Sequence, residues 1–223
     1  MRGMTTSTTT ALPRTVVAQG CSDEYAAFAI LVESLSDADW SQPTRCEGFE
    51  VRDVAGHVIG LAEDVAAGKP GTRNAEQEAA SVRGDAPAVA AARLRTALET
   101  INALLGGADD AAWAAPVLDD MTLGQGVLLL WYDAFVHADD IRAAIGRTSE
   151  RGDGLGASVA YLAGELTARD FEPRTLALAG MPRYDISGGG AAITGDALSF
   201  VLAATGRTDP QPLGLDPTVN IYM

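Results

Sequence analysis

The sequence contains few residues of the types that bind metals or act as nucleophiles: two histidines and two cysteines among 223 residues. Cys21 and Cys46 are too few for a disulfide framework, and no CxxC pair is present, which indicates a reducing, cytoplasmic compartment. Any hypothesis about a metal site or a reactive thiol therefore has few side chains to draw on.

Long apolar runs and positive charges are also scarce. No apolar run approaches the roughly 18 residues that span a bilayer. The chain has 16 basic against 30 acidic residues, which gives a net charge of −14. This charge opposes the neutralisation of phosphates, so we expect neither nucleic acid nor a membrane surface as a partner. All but one of the basic residues are arginine, a bias typical of a high-GC, actinobacterial source.

The chain is rich in helical periodicity. Hydrophobic residues make up 47% of the sequence, and they recur at spacings of three and four, as Ala27, Ile30, Leu31 and Leu35 do. Four amphipathic helices, followed by a change of pattern near residues 147–153, predict a mainly α protein with a four-helix bundle and then a small α+β domain. The predicted helices of the bundle cover about 15–40, 51–67, 85–107 and 122–145. The predicted regions are a disordered tail at 1–14, the bundle at 15–150 and the C-terminal domain at 151–223.

Both histidines lie on the apolar faces of predicted helices. His57 shares the stripe of the second helix with Val54 and Leu61, and His137 points inward from the fourth helix. Asp133 lies one turn before His137 on the same face. Such a pair can place an oxygen and a nitrogen around one metal ion, with His57 as third ligand from a facing helix. Three ligands leave coordination positions open, as in catalytic zinc sites.

An ordinary structural role for these residues is still open at this point. A histidine on an apolar face is more often a hydrogen-bonded core residue than a ligand, and a D-x3-H spacing is common. The acid weighs against that role, because burying Asp133 without a cation or hydrogen bonds would cost several kcal/mol.

Two segments around the histidines resemble a known family. Residues 36–60, SDADWSQPTRCEGFEVRDVAGHVIG, resemble the signature W-x2-PT-x-C-x-GW-x-V-x-DV-x2-H of the mycothiol-dependent maleylpyruvate isomerase family, a branch of the DinB-like metal-binding bundles. Residues 131–147, WYDAFVHADDIRAAIGR, are similar to a later motif of an acid, three residues, His and then DI-x2-A-x-G. Residues 193–207, ITGDALSFVLAATGR, weakly match the family's small C-terminal domain.

The resemblance implies a DinB-like bundle in which His57, Asp133 and His137 hold a divalent metal. Zinc is the usual metal in similar proteins, and nickel, iron or manganese would also accept these ligands. The family usually has Glu where this chain has Asp133. Because Asp is one methylene shorter, the ion must lie closer to that helix or be bridged by water. Phe49 stands where the family usually has Trp.

Other residues have candidate roles around such a site. Asp140, the acid of the DI pair, either orients His137 or Arg142, or is simply solvated. Arg207 would reach an anionic substrate from the C-terminal domain. Cys46 would be a nucleophile only with a histidine to activate it, and the metal already uses both. Asp53 is expected at the start of the second helix, where the helix dipole favours an acid.

The resemblance also implies a reaction. The thiol of mycothiol would bind the metal as a thiolate and add to a conjugated carbon of a small electrophilic substrate. Rotation and elimination then give isomerisation, whereas retention of the new bond gives S-transfer. Two alternatives remain open, a hydrolase that uses metal-activated water and a non-catalytic metal-binding stress or interaction protein.

Similar bundles are often dimeric, so a homodimer is expected.

Overall fold

The computed structural model describes residues 12–118 and 121–223. The backbone forms two compact units, residues 14–150 and a second unit made mainly of residues 151–223. The predicted disordered tail, residues 1–14, falls largely outside the described residues, and its last residue, Arg14, already begins the first helix. In the described ranges, no helix is both long enough and apolar enough to cross a membrane.

The first unit is a four-helix bundle with short elements between the helices. In chain order it contains α1 (Arg14–Glu33), α2 (Asp37–Trp40), α3 (Val51–Ala66), α4 (Ala75–Ala80), α5 (Pro87–Gly107), α6 (Asp110–Ala114), β1 (Pro116–Leu118), β2 (Met121–Thr122) and α7 (Leu123–Ala144). The long helices close a ring, because α1 and α3 each pack against both α5 and α7. The prediction of a mainly α protein with a four-helix bundle is confirmed.

The ends of α7 follow from local chemistry. Thr122 and Gln125 form a capping box at its start, in which the side chain of each accepts a hydrogen bond from the backbone N–H of the other. After its end, Gly146 has a φ of 69°, in the left-handed region that favours glycine. These signals are why the predicted bounds of this helix are close to the observed ones.

The first predicted helix is too long, and one residue of its apolar pattern is exposed. The helix ends at Glu33 instead of Trp40, because Ser36 caps the separate short helix α2. Leu31 and Leu35 of the pattern are buried, whereas Ile30 is 64% exposed. Tyr25, outside the pattern, is buried on the same helix.

Two regions between the predicted helices of the bundle contain short elements. The region after α3 holds α4, and the region after α5 holds α6 and the antiparallel pair of β1 and β2. Helices of five or six residues are too short to show a helical period, so periodicity missed them.

The second unit is a small α+β structure, as predicted. It contains α8 (Asp153–Ala168), β3 (Arg174–Leu178), β4 (Tyr184–Ile186), β5 (Ala191–Gly195), α9 (Ala197–Ala204) and short 3-10 helices at Gln211–Leu213 and Pro217–Val219. The strand order is β4-β3-β5, with β3 antiparallel to β4 and parallel to β5. Strand β5 was not predicted, and it makes the sheet mixed.

Candidate metal centre

Helices α3 and α7 bring three potential ligands together. Helix α3 carries His57, α7 carries Asp133 and His137 one turn apart, and the two helices pack against each other. Nε2 of His57 lies 3.6 Å from Oδ2 of Asp133, and Nε2 of His137 lies 3.5 Å from Oδ1. The imidazole rings meet edge to face, with 5.0 Å between their centroids. One ligand atom from each residue lies within 4.8 Å of the other two.

These distances fit a shared cation better than direct hydrogen bonds. Separations of 3.5 and 3.6 Å are longer than ordinary N–H···O bonds. Oδ2 of Asp133 is buried and has no hydrogen-bond partner among the residues that the structure describes. Ligand atoms about 2.1 Å from a tetrahedral zinc ion lie about 3.4 Å apart, close to the observed spacing. Two imidazole nitrogens and one carboxylate therefore fit a divalent cation in both geometry and chemistry.

The other ring nitrogen of each histidine contacts a second carboxylate. Nδ1 of His57 lies 2.7 Å from Oε2 of Glu78 on α4, and Nδ1 of His137 lies 2.9 Å from Oδ2 of Asp140 on α7. A carboxylate at Nδ1 keeps a proton on that nitrogen and turns Nε2 toward an ion, as in carboxylate–histidine–zinc arrangements. The contact between Asp140 and His137 is the one that the predicted orienting role requires. The two alternatives differ from the structure, because Arg142 donates to Glu150 and the side chain of Asp140 is buried.

Burial and charge oppose each other at this site. Burial disfavours protonation of His57, but Asp133 and Glu78 outweigh it and raise the pKa of His57 to about 9. For His137, Asp133 and Asp140 likewise outweigh burial and raise the pKa well above its ordinary value. Burial alone would raise the pKa of Asp133, yet the two imidazoles hold it far below the ordinary value. Asp133 is therefore ionised although buried, and a metal ion would compete with protons for the imidazoles.

A cluster of buried charges ties the loop before α3 to α7. Arg45 donates hydrogen bonds to Asp139 and Asp140, whose side chains are 2% and 0% exposed. The thiol of Cys46 lies 3.2 Å from Oδ2 of Asp140, the same oxygen that contacts His137. Cys46, His137 and Asp140 also form a possible ligand group. The guanidinium already balances the acids here, so this group suits a cation less well than the first one.

The relation to known proteins follows from comparison of the sequence. The sequence model of the mycothiol maleylpyruvate isomerase N-terminal domain matches residues 21–142, more than half of the chain. The chain belongs to the mycothiol maleylpyruvate isomerase family. The matched range contains the three potential ligands and both carboxylates that contact them. The predicted family is thus confirmed, and membership of this isomerase family supports an isomerase-like enzyme.

Two solved structures are similar to this member of the family over nearly its whole length. One is the mycothiol-dependent maleylpyruvate isomerase, with 16% identity and a TM-score of 0.63. The other is a mutant of that enzyme, with 17% identity and a TM-score of 0.62. Each comparison covers 90% of this chain and 92% of the other. At this identity the similarity establishes the fold. No curated protein sequence matches the chain significantly.

Two predicted residues lie outside the ligand group of this family member. Arg207 follows α9 in the second unit and donates a hydrogen bond to the carbonyl oxygen of Thr205. Its role toward an anionic substrate stays a prediction. Asp53 accepts a hydrogen bond from the backbone N–H of Glu50 and pairs with Arg83, which is a structural role at the start of α3.

Sequence reasoning missed three residues beside the ligand group: Glu78, Arg45 and Tyr25. Glu78 lies on α4, in a segment for which no element was predicted, and it carried no sequence signal. Arg45 had one signal, its place inside the first family motif. The hydroxyl of Tyr25 on α1 is buried without a hydrogen-bond partner in the described part of the chain. Burial, Cys21 and Asp133 raise the pKa of Tyr25 well above its ordinary value.

Proposed function

We propose that this protein is a mycothiol-dependent metalloenzyme of the isomerase or S-transferase type, in which His57, Asp133 and His137 hold a divalent cation, with zinc as the expected metal. One observation carries the proposal: both Nε2 atoms converge on Asp133 while each Nδ1 contacts a further carboxylate. Two unrelated, half-buried histidines would have no reason to share both features.

Each side chain has a separate task in the proposed site. Asp133 supplies negative charge between the two imidazoles, and it stays ionised because they hold its pKa low. Glu78 and Asp140 contact Nδ1 of His57 and His137 and leave the two Nε2 atoms for the ion. The surrounding helices bury the carboxylate, and low exposure to water strengthens its attraction for a cation.

A bound divalent cation would lower the pKa of a coordinated thiol, so that the thiol would be ionised at neutral pH. We propose mycothiol as the thiol and maleylpyruvate as the first substrate to test, because the structural relatives carry these names. The reaction class is reversible addition of the thiol to a conjugated double bond. Elimination after rotation restores the double bond and the thiol, whereas a retained carbon–sulfur bond gives S-transfer.

Two properties of the whole chain agree with this proposal. Neither Cys21 nor Cys46 forms a disulfide, which fits the reducing cytoplasm that we propose as its compartment. The net charge of −14 repels an anionic substrate, so such a substrate needs a local positive charge. The proposed cation supplies one, and Arg207 is a candidate for a second.

Metal content and thiol dependence test the proposal together. The purified protein should hold about one divalent ion per chain, and His57→Ala and His137→Ala should each lose it, because a site with two remaining ligands binds weakly. Isomerisation of maleylpyruvate should require added mycothiol. Metal content that is unchanged in both variants would overturn the site.

The remaining outcomes separate the alternatives. Turnover of amide or thiol conjugates without added thiol would favour a hydrolase that uses the same three ligands. Metal binding with thermal stabilisation, but with no turnover of any of these substrates, would favour a non-catalytic metal-binding protein.

A further inference from the structure

The backbone of α4 lies directly against α3 at two glycines. A Cβ atom on Gly56 would lie 2.8 Å from the carbonyl oxygen of Ala79, and one on Gly60 would lie 2.7 Å from Cβ of Glu78. Contacts this short do not occur for real Cβ atoms, so only glycine permits the approach. The two glycines lie on either side of His57 in the sequence, and they therefore bring α4 close to this histidine.

Arginines attach both ends of the α4 segment to α3. Before α4, Arg73 donates to both carboxylate oxygens of Asp64 and to the carbonyl oxygen of Gly60. After α4, Arg83 pairs with Asp53 in the first turn of α3. A planar guanidinium that binds two acceptors fixes direction as well as distance. The short helix is thus held along α3 at both of its ends.

Glu78 is the side chain that this packing delivers to the metal centre. It is 3% exposed, and its Oε2 lies 2.7 Å from Nδ1 of His57. We propose that Glu78 is a positioning residue that holds the proton on Nδ1 of His57 and so directs Nε2 toward the cation. This inference rests on the proposed function, because the direction of Nε2 matters only if His57 is a ligand. Glu78 does from a separate helix what Asp140 does for His137 within α7.

The contact between Glu78 and His57 would look the same if the pair only stabilised the fold, but its loss would then have other effects. Loss of such a pair lowers the stability of the fold but has no specific effect on the affinity for a metal. The experiment must therefore measure metal affinity and the state of the imidazole on folded protein.

Zinc affinity is the first readout, measured on the full chain by competition with a chromophoric chelator. Glu78→Ala should weaken Zn²⁺ binding about 10- to 100-fold, as loss of an outer carboxylate does in other zinc sites. Glu78→Gln should weaken it less, because its amide oxygen still accepts from Nδ1. Glu76→Ala removes an exposed carboxylate from the same helix. Arg83 loses this surface partner but keeps its pair with Asp53, so the variant should bind like the wild type. Equal affinity of Glu78→Ala and the wild type overturns the proposal, and so does an equal loss in the two alanine variants.

The ring nitrogens provide a second readout that does not need zinc. Because the chain has two histidines, ¹⁵N spectra of the imidazoles contain two ring systems. A hydrogen-bonded Nδ1 proton of His57, protected from exchange with water, should appear in the wild type and in Glu76→Ala. Glu78→Ala should lose this protected signal, because Nδ1 then exchanges its proton with water. Its persistence in Glu78→Ala overturns the positioning role. A wild type that shows this proton but binds no Zn²⁺ overturns the proposed function instead.

The glycine contact tests the same idea without altering the carboxylate. Gly60→Ala should push Glu78 away from His57 and weaken Zn²⁺ binding, and adding Glu78→Ala should then weaken it little further. Gly164→Ala on α8 is the matched control, since a Cβ atom there would meet nothing within 4 Å. If Gly60→Ala and Glu78→Ala each weaken Zn²⁺ binding by a factor, and the double variant shows the product of the two factors, the proposal that α4 acts through Glu78 is overturned.

Discussion

Two carboxylates at helix α7 have environments with opposite effects on ionisation. Glu24 on α1 is half-buried and lies near Trp131 and Arg142, but partial burial dominates and raises its pKa to about 7. Asp133 on α7 is more deeply buried, yet His57 and His137 hold its pKa far below the ordinary value. Burial by itself therefore favours a neutral acid, and only converging positive groups keep one ionised.

The difference indicates how this chain prepares for a cation. The region around Glu24 tolerates a neutral acid, whereas Asp133 is held as an anion between two nitrogen ligands. The cluster of Arg45, Asp139 and Asp140 resembles the surroundings of Asp133. There the guanidinium of Arg45 is the positive group beside two buried carboxylates. Substitutions that remove one charge at Asp133, Arg45 or Glu24 test whether neighbouring positive groups, and not burial, keep a carboxylate ionised.

The largest effect is expected from Asp133→Ala, which removes the shared anion. The two imidazoles lose their common counter-charge, and breaking such a buried pair should cost about 3 kcal/mol or more of unfolding free energy at pH 7. Zinc binding should be lost as well. Urea unfolding and zinc titration measure the two effects. Asp23→Ala at an exposed position of α1 should change stability by less than about 0.5 kcal/mol. Zinc binding by Asp133→Ala would contradict the ligand role.

A smaller loss is expected from Arg45→Ala, which leaves Asp139 and Asp140 without their guanidinium partner. We expect a loss of about 2 kcal/mol in urea unfolding, because both carboxylates are buried. Arg45→Lys should recover only part of it, since an ammonium group cannot bind both acids as a planar fork does. The pair of Arg95 and Glu33 is exposed on both sides, so Arg95→Ala should cost less than about 1 kcal/mol. Equal losses in the two alanine variants would remove the distinction between buried and exposed pairs.

The smallest effect, of opposite sign, is expected from Glu24→Gln. The pKa of Glu24 is about 7 in the folded chain against 4.5 for an ordinary Glu. Between these values the folded state binds more protons, so stability falls as the pH rises from 4.5 to 7. Glu24→Gln should therefore be more stable than the wild type at pH 8 by about 1 kcal/mol, with the difference lost near pH 4.

Unfolding measured across this pH range provides the check. Glu99→Gln on the exposed face of α5 is the control and should show no pH-dependent difference from the wild type. A constant difference between Glu24→Gln and the wild type at all pH values would show that burial does not control ionisation at Glu24.

The ligand group illustrates what could be predicted from spacing. His57, Asp133 and His137 lie on long helices, where a period of 3.6 residues places side chains on one face. Asp133 and His137 are neighbours for that reason alone, and Asp140 contacts His137 across three residues of the same helix. The structure brings these residues together, and their roles as ligands stay a proposal.

Glu78 and the buried face of α1 illustrate what could not be predicted. Glu78 meets His57 from 21 residues away, and α4 is too short to show a period of its own. Ile30 continued an apolar pattern but is exposed, whereas Tyr25, outside that pattern, is buried. Helix propensity and hydrophobic periodicity are properties of a local segment. Neither predicts which side chains are buried where several helices pack together.

Helix periodicity, capping residues and two sequence motifs were enough to predict the long helices of the bundle, the family and three side chains that lie together. These signals act within a few turns of one chain. The carboxylate that contacts His57 and the guanidinium that pairs with Asp140 could not be predicted in this way. Those contacts depend on how closely backbones distant in sequence approach, and at α3 the missing side chains of Gly56 and Gly60 set that distance.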